Sequence, residues 1–272
     1  MKDLPDTPLP VDFAFGLVTY MWGAKWDLPT LLRNCAASRV LGVELRTTHK
    51  HGVEPSLSAK EREVVRKRFS DSPVSLVGIG SNERFDNPDP KVVRVAIEKT
   101  KEFIRLSHDV GGSGVKVKPD RFHDGVPHEK TIEQIGKALN ELAEYGLGYG
   151  QQIRLEIHGG CAELPIIAAI LRVADEKGVA VCWNCNKQDF AGKGLEYNFN
   201  LVKDRLGDTL HVHDLKQDKE YPYTTLAKLL VQANYGGWVM LEEGRMPKDE
   251  KPVEALAEQR RLWHDIVRKT LD

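Results

Sequence analysis

Short apolar runs alternate with longer amphipathic segments along the whole chain. Within the runs, apolar residues follow one another or alternate with a polar residue, as in parallel strands that are buried on both faces. The segments between them place apolar residues three and four positions apart, which is typical of helices with one buried face. Eight runs are candidate strands: FAFGLV (13–18), LGVELR (41–46), VSLVGIG (74–80), GVKVK (114–118), IRLEIH (153–158), GVAVCW (178–183), TLHVH (209–213) and GWVMLE (237–242).

This alternation predicts an α/β protein in which helices connect parallel strands, because parallel neighbours need a long crossover connection. Eight strand-helix units in 272 residues match a single (β/α)8 TIM barrel that forms one domain over 1–272. We expect its closing helix near 252–270. The alternative is a doubly wound open sheet, but that fold would want a Gly-x-Gly-x-x-Gly turn where this chain reads GLVTYMWG.

Charge and hydropathy narrow the classes of partner. The 39 basic residues nearly cancel the 40 acidic ones, so no nucleic acid partner is expected. No apolar stretch approaches the roughly 20 residues that span a bilayer, and no membrane partner is expected either. We expect a soluble cytoplasmic protein that acts on a small molecule. An exported form with a removed leader stays open, as does a homo-oligomer.

Polar side chains collect where the last four candidate strands end. The carboxyl ends of barrel strands meet at one mouth, which is where barrel active sites lie. Buried carboxylates are costly unless they are paired or bound to a metal, and a divalent cation would remove that cost. The residues in question are Glu156, His158, Asn184, Asn186, His211, His213, Glu242 and Glu243.

Three motifs resemble the sugar phosphate isomerase/epimerase family, the xylose isomerase-like TIM barrels: EIH (156–158), HVH (211–213) and GGWVMLE (236–242). The resemblance covers nearly the whole chain. It implies a single divalent metal ion, of which Mn, Mg, Co and Zn are the candidates. Matched motif by motif, the implied ligands are Glu156, Asn184, His213 and Glu242. His211 would then lie one layer deeper and support the site by hydrogen bonding.

The resemblance also implies an activity, the isomerisation or epimerisation of a small carbohydrate. Glu156 and Glu242 would be the catalytic pair, one removing a proton beside a carbonyl and the other returning a proton on the opposite face. The metal would polarise the carbonyl and stabilise the enediolate.

One motif departs from the family. The sixth strand usually continues as Asp-x-x-His, whereas this chain reads NCNK, with Asn184 and Lys187 at those two positions. An amide oxygen can ligate a metal but brings no charge, so the metal affinity should drop. Two other functions therefore stay open: a carbohydrate-binding barrel without turnover, and a metal-dependent hydrolase or lyase on the same scaffold.

Further polar residues share a parity on two other candidate strands. Glu44 and Arg46 would face inward together, either as an internal ion pair or as substrate contacts. Lys116 and Lys118 would also face inward, and electrostatic binding of substrate is favoured over Schiff-base chemistry. The predicted substrate-binding residues are Lys116, Lys118, His158, Asn186, Lys187, Glu44 and Arg46.

Overall fold

The computed structural model describes residues 13–216, 219–244 and 251–271. Its eight strands form one closed parallel barrel in chain order, in which β1 pairs with both β2 and β8. The strands are β1 (Ala14–Val18), β2 (Gly42–Arg46), β3 (Ser75–Arg84), β4 (Gly114–Lys118), β5 (Gln152–Glu156), β6 (Val179–Asn184), β7 (Leu206–Val212) and β8 (Trp238–Leu241).

Helices follow the strands around the outside of the barrel. In the described part of the chain they are α1 (Leu28–Ser38), α2 (Ala59–Ser70), α3 (Pro90–Val110), α4 (His128–Leu147), α5 (Leu164–Val173), α6 (Leu195–Asn200), α7 (Tyr223–Gln232) and α8 (Pro252–Leu271). The single (β/α)8 barrel is therefore confirmed, and the open sheet is excluded. None of the described helices is long and apolar enough to cross a membrane.

Local signals in the sequence explain where several helices begin and end. The Asp27 side chain accepts a hydrogen bond of 2.9 Å from the backbone N–H of Thr30 and so caps α1. Ser58 and Glu61 cap each other's backbone at the start of α2. Gly111 ends α3 in the left-handed region, with φ of 94°, a conformation that glycine adopts without strain.

The two faces of each strand have different surroundings. On β4, Val115 and Val117 belong to the main apolar core, whereas Lys116 and Lys118 alternate with them and face the barrel interior. The main core therefore fills the space between the strands and the helices. Because these apolar contacts hold the fold together, the interior is available for polar side chains.

Three levels follow one another along the barrel axis. At the amino end, the Arg154 guanidinium binds the Asp208 carboxylate at 2.9 Å. A small apolar layer of Val18, Val77 and Met240 lies above it. Charged residues fill the carboxyl end, where the candidate site lies.

Some strand boundaries differ from the predicted runs. β3 extends to Arg84, four residues beyond the run that ended at Gly80, while β5 already ends at Glu156 and β7 at Val212. His158 and His213 therefore follow strand ends, and the alternation of inward and outward side chains need not continue to them.

We expect Gly78→Ala to destabilise the barrel. A Cβ atom at Gly78 would lie 2.7 Å from the carbonyl oxygen of Gly114 and 2.8 Å from Nη1 of Arg154, so backbone would have to shift. Overpacking of this kind costs about 1–3 kcal/mol, which urea denaturation would measure. Gly236→Ala is the matched control because its Cβ meets nothing within 4 Å. Equal stability of the two variants would contradict the interpretation.

Candidate active site

The last four strands bring four polar side chains to one point at the carboxyl end of the barrel. Glu156 ends β5, Asn184 ends β6, His211 lies in β7, and Glu242 follows β8. The Asn184 amide donates to Glu156 Oε1 at 2.8 Å and to Glu242 Oε2 at 3.3 Å. Asn184 therefore bridges Glu156 and Glu242, the two glutamates predicted to form the catalytic pair.

His211 completes this group. Its Nδ1 lies 3.5 Å from Glu156 Oε1 and 3.3 Å from Glu242 Oε2. One ligand atom from each of these three residues lies within 4.8 Å of the others, which makes them a candidate metal-binding set. All three are buried, with 0–8% of each residue exposed.

The sequence interpretation chose His213 for this place, and the structure places His211 there instead. The Nδ1 atom of His213 lies 2.9 Å from the backbone carbonyl of Glu242, and its backbone N–H donates to the Tyr223 hydroxyl. Because β7 ends at Val212, the chain has left the strand at His213. His211, which the sequence interpretation placed one layer below the site, is the histidine that faces the glutamates.

A buried carboxylate lies behind His211. Glu44 Oε1 is 3.4 Å from His211 Nε2, and both residues are completely buried. Neither Glu44 oxygen has a hydrogen-bond partner among the described residues. Glu44 therefore faces the histidine rather than Arg46, so the internal Glu44–Arg46 pair considered from the sequence does not form.

Two lysines approach Glu156 from β4. Lys116 Nζ donates to Glu156 Oε2 at 2.8 Å, and each of the two side chains is 1% exposed. Lys118 Nζ lies 3.9 Å from the same oxygen and 3.3 Å from His158 Nε2. Glu156 thus shares one oxygen with Lys116 and presents the other to Asn184 and His211.

These neighbours set the charge of the two glutamates. Burial opposes the ionised form of Glu156, but Lys116 and His211 outweigh it and hold the pKa of Glu156 well below its usual value. Burial and the charge of Glu156 oppose the ionised form of Glu242, yet His211 and Lys116 still lower the pKa of Glu242. Both carboxylates are therefore ionised near neutral pH.

The same balance fixes the charge of the cations. Burial acts to lower the pKa of the Lys116 ammonium, but the nearby carboxylates raise it. Burial also opposes charge on His211, but Cys182, Glu242 and Glu44 raise its pKa well above 6.5. At Lys118, burial and the charge of Lys116 lower the pKa.

The donor set fits a divalent cation. Glu156 Oε1, Glu242 Oε2 and His211 Nδ1 face one another, while Lys116 occupies only the other oxygen of Glu156. The amide oxygen of Asn184 is buried without a hydrogen-bond partner, and a flip of the amide would turn it toward the same point. Carboxylate, imidazole and amide oxygen are ligands for Mg, Mn, Co and Zn.

The other residues predicted to bind substrate divide into two groups. Arg46 and His158 lie near the cluster. His158 Nε2 is 3.3 Å from Lys118 Nζ, and the charge of Arg46 acts on Lys118. The Arg46 guanidinium also lies 4.3 Å from the centroid of the Tyr20 ring. Asn186 instead donates to the backbone carbonyls of Ile157 and Asn184, at 3.2 Å and 2.7 Å. Lys187 lies on the surface, where its ammonium binds Glu220 at 2.7 Å.

Sequence reasoning missed a buried acid in the loop after β6. Asp189 accepts hydrogen bonds from the Tyr221 hydroxyl at 2.6 Å and from the backbone N–H of Asn186 at 3.0 Å. Burial raises the pKa of Asp189 to about 7, although these hydrogen bonds oppose the shift. The signal was available, since Asn186 and Asp189 have capping-box spacing. The residue anchors the loop that carries Asn186 and Lys187.

A cavity of about 470 Å³ opens at the amino end of the barrel, lined in part by Ser113, Asp208 and Trp238. Its carboxylate is already paired: Asp208 accepts hydrogen bonds from Arg154, Ser113 and Gln152 at 2.9–3.0 Å. The ion pair at the amino end therefore has a structural role, and the candidate active site lies at the carboxyl end of the barrel.

Solved structures with the same fold come from carbohydrate epimerases and related proteins. An L-ribulose 3-epimerase matches with a TM-score of 0.80 and 13% identity, over 95% of this chain and 96% of the other. The 3-keto-D-glucoside 4-epimerase of E. coli matches with 0.78 and 13%, over 93% and 99%. The IOLI protein with a bound zinc atom matches with 0.78 and 16%, over 94% and 99%. No curated protein sequence matches this chain.

A closed (β/α)8 barrel with carboxylates, an imidazole and an amide at its carboxyl-end mouth defines a class of barrels that bind small molecules at that end. The model of the family described as xylose isomerase-like TIM barrel matches residues 32–265. The chain belongs to this family, and the resemblance seen in the sequence motifs is confirmed.

The raised pKa of Asp189 predicts a pH-dependent stability. The folded protein keeps this proton up to about pH 7, whereas the unfolded chain loses it near the ordinary aspartate pKa of 3.8. The unfolded state therefore binds fewer protons between these values, and this group makes stability fall as pH rises from about 4 to 7.

Compared with Asp189→Asn, the wild type should lose stability over that interval at up to about 1.4 kcal/mol per pH unit. Urea denaturation at several pH values would measure the difference. Asp124→Asn, at an exposed position, should keep the wild-type slope. Parallel curves for wild type and Asp189→Asn would show that the acid is not protonated in the folded protein.

Proposed function

We propose that the protein is a divalent-metal-dependent isomerase or epimerase of a sugar or sugar derivative. The observation that carries the proposal is the convergence of two buried, ionised glutamates, Glu156 and Glu242, on one point beside His211. The solved structures of an L-ribulose 3-epimerase, a 3-keto-D-glucoside 4-epimerase and a zinc-containing protein on the same fold support this class of chemistry.

Glu156, Asn184, His211 and Glu242 would hold the metal ion. Bound there, the ion would polarise the carbonyl of the substrate and stabilise the negative charge that develops on it. His211 must give up its proton to ligate, so metal binding and protonation compete at this residue.

The two glutamates transfer protons on opposite faces of the carbon beside the carbonyl. Glu242 removes the first proton, because it lacks the direct ammonium contact that makes Glu156 the weaker proton acceptor. Glu156 returns a proton on the other face after taking it up from solvent, and Glu242 releases its proton to solvent to complete the cycle. Lys116 fixes the orientation of Glu156 through Oε2.

One observation favours the second candidate, a carbohydrate-binding barrel without turnover. The Lys116 ammonium already compensates the charge of Glu156, and Asn184 brings no charge of its own. Both features lower the electrostatic gain from binding a cation. Proton exchange and metal binding, tested separately, distinguish this candidate from the enzyme.

Replacing either catalytic carboxylate should remove the proton transfer. We expect Glu156→Gln and Glu242→Gln each to lower turnover by about 10²–10⁴-fold, since a general acid or base contributes that much. The assay is a panel of ketoses, aldoses and oxidised sugars in heavy water. The wild type should incorporate deuterium at the carbon beside the carbonyl, and Glu129→Gln, at an exposed position, should do so equally. Turnover without incorporation would indicate a hydride shift and contradict the proton-transfer mechanism.

The two histidines of the HVH motif should differ in metal binding. We expect His211→Asn to weaken Mn²⁺ binding by at least about 10-fold, because even changes outside the ligand shell cost about 10–100-fold. His213→Asn should bind Mn²⁺ like the wild type, since its ring faces a backbone carbonyl. Calorimetric titration of the metal-free proteins measures both. The opposite result would restore the assignment made from the sequence.

A further inference from the structure

Two of the cations on β2 and β4, Arg46 and Lys118, have no carboxylate within hydrogen-bond distance among the described residues. Lys118 is 6% exposed, and its closest carboxylate oxygen, Glu156 Oε2 at 3.9 Å, is already bonded to Lys116. The hydrogen-bond partner of Lys118 is the Nε2 atom of His158, at 3.3 Å. A buried ammonium is costly unless an anion compensates it. The 3.9 Å ion pair with Glu156, whose oxygen Lys116 already binds, compensates Lys118 only in part.

His158 lies between Lys118 and Asp120, and its Nδ1 atom has no hydrogen-bond partner among the described residues. Its Nδ1 atom lies 3.4 Å from Asp120 Oδ1, and Asp120 is in turn bonded to Arg84 at 3.0 Å. A proton on Nδ1 facing Asp120 leaves Nε2 as the acceptor. Lys118 is thus positioned by an imidazole nitrogen, and no carboxylate oxygen in the described part of the chain lies closer to it than 3.9 Å.

Arg46 adds a second such cation. Its guanidinium stacks on the Tyr20 ring, and no carboxylate within the described ranges binds it. The positions of Arg46 and Lys116 are both in register with Gly80, so the strand between them carries no side chain there. Arg46 is close enough for its charge to lower the pKa of Lys118.

The charges around the mouth therefore do not balance once a metal is bound. Three carboxylates, those of Glu44, Glu156 and Glu242, face three basic side chains, those of Arg46, Lys116 and Lys118. A divalent ion bound beside them would add positive charge to this set. An anion supplied from outside would restore neutrality on the side of β2 and β4.

We propose that the substrate is an acidic sugar whose carboxylate binds Lys118 and Arg46 while its carbonyl end lies at Glu156 and Glu242. This inference rests on the proposed function for the location of the carbonyl. The side chains of Lys118 and Glu242 are 7% and 10% exposed, and Arg46 is half-buried, so a ligand entering the mouth meets all three.

A carboxylate fits these cations better than a phosphate does. Phosphate sites usually include backbone N–H groups at a helix N-terminus. Here β2 ends at Arg46 and α2 begins at Ala59, while β4 ends at Lys118 and α4 begins at His128, so neither strand leads directly into a helix. One planar guanidinium and one ammonium suit a singly charged, planar group.

Calorimetric binding in the presence of Mn²⁺ tests this inference with matched sugars. The probes are D-glucuronate and D-galacturonate, the neutral sugars D-glucose and D-galactose, and D-glucose 6-phosphate. At least one uronate should bind about tenfold or more tightly than its neutral partner, because a hydrogen bond between charged groups is worth that much. Equal or weaker binding of both uronates would overturn the proposal, and tighter binding of the phosphate ester would overturn the carboxylate assignment.

Lys118→Met separates ligand binding from a structural role. The variant should lose the preference for the uronate, while its melting temperature without sugar stays the same or rises, because a buried ammonium that is only partly compensated has been removed. Lys137→Met is the control, since Lys137 is exposed and paired with Glu133 at 2.6 Å. A marked fall in melting temperature with the uronate preference retained would make Lys118 a structural ion-pair partner and contradict the proposal.

The proposed function can fail independently of this inference. Uronate-selective binding without deuterium exchange in any sugar would support the anion site and contradict the isomerase or epimerase. Exchange without a preference for uronates would support the enzyme and overturn the acidic substrate.

Discussion

The polar interior of the barrel depends on the buried ion pair between Lys116 and Glu156. Two carboxylates that share a dry site normally repel each other, and one of them takes up a proton. The ammonium on Oε2 of Glu156 prevents this, and the Asn184 amide bridges the remaining gap to Glu242. Removing one partner of such a pair typically costs about 3–5 kcal/mol because the other charge is left uncompensated. The same contact therefore supports both the folded state and the ionisation of the glutamates.

The closed sheet allows the two sides of the barrel mouth to differ. Strands β5 to β8 contribute the groups that suit proton transfer and metal binding, and β2 and β4 contribute cations. Because the apolar core lies outside the barrel, between strands and helices, stability does not require an apolar interior. The fold can therefore carry basic side chains that its own carboxylates compensate only in part, and a ligand can bind to them there.

The alternation of apolar runs and amphipathic segments predicted the fold, and the resemblance of three motifs to the family implied that Glu156, Asn184 and Glu242 meet. The motifs alone did not identify which histidine faces the glutamates. His211 and His213 have the same parity, and only the end of β7 at Val212 decides which ring faces inward. Contacts between distant strands were equally inaccessible: the approach of Glu44 to His211, and the pairing of Lys187 with Glu220, depend on barrel closure and loop paths.

The inner layer of Val18, Val77 and Met240, with the Arg154 network beneath it, gives the barrel a floor. A small molecule therefore cannot pass along the axis, and a ligand that enters at the carboxyl end must also leave at that end. Substrate binding and product release then use the same entrance. A molecule that has not yet left excludes the next, so a product of any reaction here would act as a competitive inhibitor of its own formation.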